Sequence, residues 1–143
     1  SVFYFREPQV LYLGDYDLTA FGPWYGDRDS SIEDTIASLQ RLRKIPAKVW
    51  LTSHENGCFE GDATEAFDRY LAVIGAREAK LLEFLSAPRT MEDIVAACLV
   101  YRKPREPKAF FEWGEGAIMG KHIERLMRNG AVALEDGRYR RAN

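Results

Sequence analysis

Asp15 and His54 are the residues with the clearest chemical potential. Each stands just past a short apolar run: Val10-Leu11-Tyr12-Leu13 leads to Asp15, and Val49-Trp50-Leu51-Thr52 leads to His54. A carboxylate and an imidazole brought to one place are plausible ligands for zinc, iron or manganese. Taken singly they are ordinary loop residues, solvated or capping a turn. The elements that carry them decide between these readings.

Val2-Phe3-Tyr4-Phe5 reads as a strand, Glu7-Pro8-Gln9 as a turn and Val10 to Leu13 as a second strand, together a hairpin. A loop rich in Gly, Pro and Asp runs from Gly14 to Asp29. Ser30 and Glu33 form a capping-box pattern. Ile32, Ile36 and Leu39 then share one helical face, and Lys44 and Pro46 close that helix. Val49 to Thr52 is the next strand. A helical crossover of this length joins parallel strands of one sheet. Parallel strands end on one edge, so Asp15 and His54 should meet at a common rim, where open α/β sheets bind ligands.

The rest of the chain changes character. His54 to Gly61 reads as a loop, and Asp62 with Glu65 as a second cap. Phe67, Leu71, Ile74, Leu81, Leu82, Phe84 and Leu85 make one long helix that could join two domains. Thr90 and Asp93 open a helix bearing Ile94, Val95 and Leu99, which Pro104 and Pro107 break. A third helix spans about Glu115 to Asn129, with Ile118, Ile123, Leu126 and Met127 inward. Asn129-Gly130 is a C-cap signal. Ala131 to Leu134, the turn Asp136-Gly137 and Arg138-Tyr139-Arg140 form a hairpin. Three helices and a hairpin are the order of a winged helix-turn-helix. The domain expectation is therefore residues 1–75 and 76–143.

The totals exclude several classes. At 143 residues and 46 % apolar, the chain can build a core and is not a disordered one. A net charge of −2 gives no global attraction to nucleic acid. No apolar run is long enough for a membrane span, and no signal-peptide pattern is visible. Cys58 and Cys98 form no CxxC pair and read as free thiols, which places the chain in the cytoplasm. Ser1 enters a strand pattern at once, with no methionine. This reads either as a piece of a longer protein or as loss of an initiator Met.

Leu13-Gly14-Asp15 resembles the metallo-β-lactamase strand whose aspartate bridges two metal ions. Thr52-Ser53-His54-Glu55-Asn56-Gly57 resembles the later strand end whose histidine completes the second metal site. The run from Gly14 to Gly26, Gly-Asp-Tyr-Asp-Leu-Thr followed by Phe-Gly-Pro-Trp-Tyr-Gly, is similar to a subgroup of bacterial hydrolases with that fold. The resemblance covers about residues 1–75. Residues 76–141 look like the winged-helix module that follows the catalytic domain in some members. It implies an α+β fold: the C-terminal piece of an αβ/βα sandwich followed by a winged helix.

The family's HxHxDH motif is absent, as is a further histidine upstream of the Asp15 strand; the chain has only His54 and His122. The resemblance implies two divalent metal ions, zinc foremost, in a full-length parent, and is compatible with none in this chain. It implies a small-molecule ester, thioester, lactam or phosphoester substrate, and little activity in this piece alone. The other readings are a winged-helix module that binds DNA or a protein, and a redox or sensory member of the fold.

Asp17 is a rival to Asp15 as ligand, but Asp15 follows the glycine at the strand end, and Asp17 is assigned to ordering the loop. Phe21, Trp24 and Tyr25 read equally as a substrate-pocket wall or as loop packing. Cys58, close to His54 in sequence, reads as a buried structural thiol in preference to a nucleophile or third metal ligand. Lys121, His122, Arg125 and Arg128 form the basic side of the third helix, with Arg138, Arg140 and Arg141 beside the wing, a pattern that can grip nucleic acid. The interleaved acids Glu115, Glu124, Glu135 and Asp136 oppose it, and His122 is expected at the surface. A half sandwich should also leave Phe3, Tyr12, Val49 and Leu51 uncovered, and this predicts a homo-oligomer.

Overall fold

In the computed structural model, residues 1–54 and 57–142 are described. Four short strands form one sheet in the order β1 (Phe3–Phe5), β2 (Val10–Tyr12), β3 (Val49–Leu51), β4 (Cys58–Glu60). β2 and β3 are parallel and the outer pairings antiparallel. The parallel pair is connected through helix α1 (Ile32–Leu42), as the crossover argument requires. α1 begins at Ile32, so Ser31, one residue later than expected, precedes it.

Side-chain alternation splits this sheet into two unlike faces. Tyr4, Leu11, Trp50 and Phe59 form one row across all four strands. Leu11 and Trp50 are buried with Leu13, Leu39, Ala63, Phe67 and Tyr70, and Tyr4 and Phe59 pack against that core. Trp50 stacks on Phe59 at 6.3 Å and donates its indole N–H to Gly61 O at 3.0 Å. The opposite face holds Phe3, Phe5, Val10, Tyr12, Val49 and Leu51. Phe3 and Phe5 are each 54 % exposed, and the other four are half-buried.

β4 was expected to be loop. It has one inward apolar residue, Phe59, so it shows no period that a sequence can reveal. Cys58, expected to be buried, is exposed on this edge strand because its side chain falls on the face without a core.

Helix α2 (Thr64–Phe84) buries Phe67, Tyr70, Ile74 and Leu81 along one stripe. The chain forms two compact units, Ser1–Trp24 with Glu33–Ile74, and Tyr25–Ile32 with Gly75–Asn143. In the first unit, Gly22 (φ +84°) lets the loop run against α2: a Cβ there would lie 2.4 Å from Val73 Cγ1.

The second unit continues from the end of α2 into α3 (Met91–Ala96), α4 (Lys108–Arg128), β5 (Val132–Glu135) and β6 (Arg138–Arg141). Thr90 and Asp93 form a reciprocal capping box at α3. β5 and β6 are joined by Asp136 and Gly137, both with positive φ, the requirement of a type I′ turn. Arg89 pairs with Tyr139 as a third, single-bridge strand.

α4 starts at Lys108, about two turns earlier than expected. Those extra turns carry Phe110 and Trp113, each 57 % exposed, so their hydrophobic pattern does not mark the inward face. Met127, expected inward, is 39 % exposed, while His122, expected at the surface, is fully buried. Glu115, read as one of the acids interleaved among the basic residues, is 1 % exposed.

Candidate metal centre

The parallel pair continues past its assigned ends. Leu13 N donates to Leu51 O at 2.7 Å, and Ser53 N donates to Gly14 O at 2.9 Å. The two backbones therefore leave the sheet side by side, and Asp15 and His54 start from the same edge. Gly14 makes the exit possible, with φ +61° and a position where a Cβ would lie 2.9 Å from Ser1 O. Tyr12 and Ser53 hydroxyls share a hydrogen bond of 2.7 Å across this end, and Thr52 Oγ1 donates to His54 O at 3.0 Å.

The side chain that meets His54 is Asp17. Its Oδ2 lies 3.1 Å from His54 Nδ1. Asp17 is 18 % exposed and His54 62 %. Asp17 Oδ1 is buried with no hydrogen-bond partner, a state that costs about 1–3 kcal/mol and more when the group is charged. Asp15 is exposed and has no hydrogen bond or ion pair among the described residues. Glu55 and Asn56 of the motif lie outside the described residues.

Two carboxylates and an imidazole at one sheet edge have the right donor chemistry for a divalent transition metal, and the orphaned Asp17 oxygen is a group a cation would satisfy. No three His, Cys, Asp or Glu side chains converge among the described residues, however. A catalytic zinc takes about three protein ligands. The described residues do not amount to a complete metal centre. A cavity of 620 Å³ lined by Arg43, Lys48, Trp50, Glu60 and Asp62 opens at the other end of β3, away from this edge.

Of the aromatic wall candidates, Phe21 is 40 % exposed and Trp24 half-buried. Tyr25, read evenly as pocket wall or loop packing, is fully buried. It belongs to a polar network in the second unit. Arg77 donates to the Tyr25 hydroxyl at 3.0 Å, that hydroxyl lies 2.8 Å from His122 Nε2, and His122 Nδ1 lies 3.2 Å from Glu78 Oε2. Arg125 donates to the same Glu78 oxygen at 2.9 Å. Burial pulls the His122 pKa down to about 4, aided by Arg77 and Arg125 and opposed by Glu78. The ring is therefore neutral near pH 7. Its partners assign the proton to Nδ1, with Tyr25 donating to Nε2.

The sequence reading missed this network, although it had one visible sign. Arg77 falls between Ile74 and Leu81 on the inward stripe of α2 and is 4 % exposed; a charge in a core register demands buried partners. The basic face of α4 is also partly committed: Lys121 Nζ donates to Arg28 O at 3.0 Å, Arg125 holds Glu78, and Arg128 is exposed.

No protein-family model matches the chain, and no curated protein matches it. Solved structures do. A metallo-beta-lactamase family protein from Thermus thermophilus superposes with a TM-score of 0.70 and 26 % identity, over 99 % of this chain and 44 % of that one. A beta-lactamase domain protein from Burkholderia ambifaria superposes with a TM-score of 0.70 and 20 % identity, over 99 % of this chain and 43 % of that one. The chain has a metallo-β-lactamase-type fold over the part that it spans, which is less than half the length of either structure. No helix among the described residues is long and apolar enough to cross a membrane.

Proposed function

We propose that this chain is the C-terminal portion of a metal-dependent hydrolase of the metallo-β-lactamase superfamily, acting in the cytoplasm on a small ester, thioester, lactam or phosphoester. The observation that carries the reading is the parallel β2–β3 pair, which delivers Asp15, Asp17 and His54 to one sheet edge on this fold. The solved structures that share the fold are more than twice as long. Asp15 and His54 supply a share of the ligands for two divalent ions, zinc foremost, and the remaining ligands come from residues outside this chain. The chain alone is inactive. The sheet face bearing Phe3 and Phe5, each 54 % exposed, fits this reading.

The test is hydrolysis of a thioester or ester series by a longer parent protein containing this chain, with added zinc or manganese. Asp15→Ala and His54→Ala should each abolish turnover and lower bound metal. Full activity in both variants would overturn the proposal.

Residues 76–143 form, on this reading, a winged-helix domain that serves the parent by packing rather than by gripping nucleic acid. Support comes from exposed Glu124 on α4, from Glu135 and Asp136 at the hairpin turn, and from the internal partners of Lys121 and Arg125. Phosphate neutralisation makes DNA affinity fall steeply with salt. Fluorescence anisotropy with mixed-sequence duplex DNA should show no binding at physiological salt; tight, salt-sensitive binding would make this domain the functional centre instead.

A further inference from the structure

The second unit contains a cavity of about 360 Å³ between the end of α3 and the start of α4. Val95, Cys98, Tyr101, Pro104 and Phe111 give it an apolar lining. An apolar cavity of about 150 Å³ holds one benzene, so this one accepts an apolar body of roughly twice that size.

The walls are built rather than incidental. Buried Glu115 accepts hydrogen bonds from Val100 N at 2.8 Å and Tyr101 N at 3.2 Å, which fixes the segment that follows α3. The Tyr101 ring lies against α4 where only glycine fits: a Cβ on Gly114 would be 2.5 Å from its hydroxyl. Tyr101 meets Phe111 edge to face at 4.9 Å. Cys98 (φ +50°) and Arg102 (φ +68°) are non-glycine residues in the left-handed region at either end of this turn. Such strain persists where surrounding contacts over-determine it, and it clusters at ligand sites.

Charge at the mouth is lopsided. Lys103, Arg105, Lys108, Glu106 and Glu112 all line it. Glu112 is paired with Lys108 at 3.6 Å, and Glu106 accepts from Lys108 N at 2.9 Å. Lys103 and Arg105 have no carboxylate partner among the described residues, and Arg105 sits over the Phe111 ring at 5.8 Å. Three cations against two carboxylates leave one net positive charge beside an apolar cavity, which favours an organic anion.

We propose that this cavity binds a small organic anion, a carboxylate whose alkyl or aromatic body fills the space between Val95, Tyr101 and Phe111 while its charge meets Lys103 and Arg105. The site is independent of the Asp17–His54 edge. It gives the second unit a ligand-sensing surface of its own.

The test uses the full chain with decanoate as probe and decanol as its neutral counterpart, followed by titration calorimetry. Decanoate should bind at a single site, more tightly than decanol. Lys103→Glu with Arg105→Glu should weaken decanoate about tenfold or more and leave decanol unchanged. Ala96→Trp, a substitution at an exposed rim position, should abolish both. In a Cys58→Ser background, decanoate should slow alkylation of Cys98, whose thiol pKa burial already pushes up. Equal binding of both probes with no effect of charge reversal would refute the anion site. Binding that survives Ala96→Trp without protecting Cys98 would place the ligand elsewhere, and no binding at millimolar decanoate would end the proposal.

Discussion

The Tyr25 hydroxyl lies 2.8 Å from His122 Nε2, and both side chains are completely buried. The pair ties residues 97 positions apart in the chain. Its polar atoms are stable there only as part of a chain of donors running from Arg77 through Tyr25 and His122 to Glu78.

The network gives stability a pH dependence with a definite sign. His122 has a folded pKa of about 4, against about 6.5 in an unfolded chain. Between these values the unfolded state binds more protons, so stability rises with pH. The contribution is complete above about pH 6.5 and is lost progressively toward pH 4, by up to about 3 kcal/mol. Arg77, Glu78 and Arg125 are the other ionisable groups of this network. Urea unfolding of the native chain at pH 7 and pH 4.5 should show the loss, and His122→Gln should flatten the difference between the two. An equal pH slope in the variant would show that carboxylates alone set it.

Tyr25→Phe removes one oxygen that serves two buried partners. Arg77 and His122 each lose a hydrogen bond without gaining water, at a cost of about 1–3 kcal/mol in all. The His122 ring then loses the donor that fills Nε2, so its titration, followed by NMR, should also move. A variant as stable as the native chain would mean that water replaces the hydroxyl.

Gly22→Ala should be more damaging than its size implies. The added Cβ meets Val73 on α2 at 2.4 Å in a left-handed conformation. Overpacking typically costs about 1–3 kcal/mol, with about 1 kcal/mol or more added for φ. Thermal unfolding measures it, and the double variant Gly22→Ala with Val73→Ala should recover the packing part only.

The open sheet face should drive self-association. Phe3 and Phe5 are exposed beside half-buried Val10, Tyr12, Val49 and Leu51, an apolar patch of the kind that marks an interface. Sedimentation should show concentration-dependent oligomers that Phe3→Glu with Phe5→Glu disperses. Alkylation of exposed Cys58, on the same face, should slow as protein concentration rises. A strict monomer at high concentration would contradict this.

The sequence by itself determined what depends on neighbours along the chain. The Thr90–Asp93 box and the Asp136–Gly137 turn act within one turn and appear as read, and Phe67, Ile74 and Leu81 of the α2 stripe are inward as read, although Tyr70 and Arg77 share that stripe unread. The β2–α1–β3 crossover was also legible, because the length and hand of such a connection leave few alternatives, and it places Asp15 and His54 on one edge. The resemblance to metallo-β-lactamases agreed with the fold of the solved structures. Only tertiary structure decided which partners meet. Asp17 rather than Asp15 touches His54, β4 pairs although it has one apolar residue, α4 starts before its inward stripe, and His122 goes inside because Tyr25 and Glu78 satisfy it. Each of these depends on a contact between distant segments. Periodicity reports how often a face recurs along one element; it carries no record of which distant group will satisfy a buried polar atom.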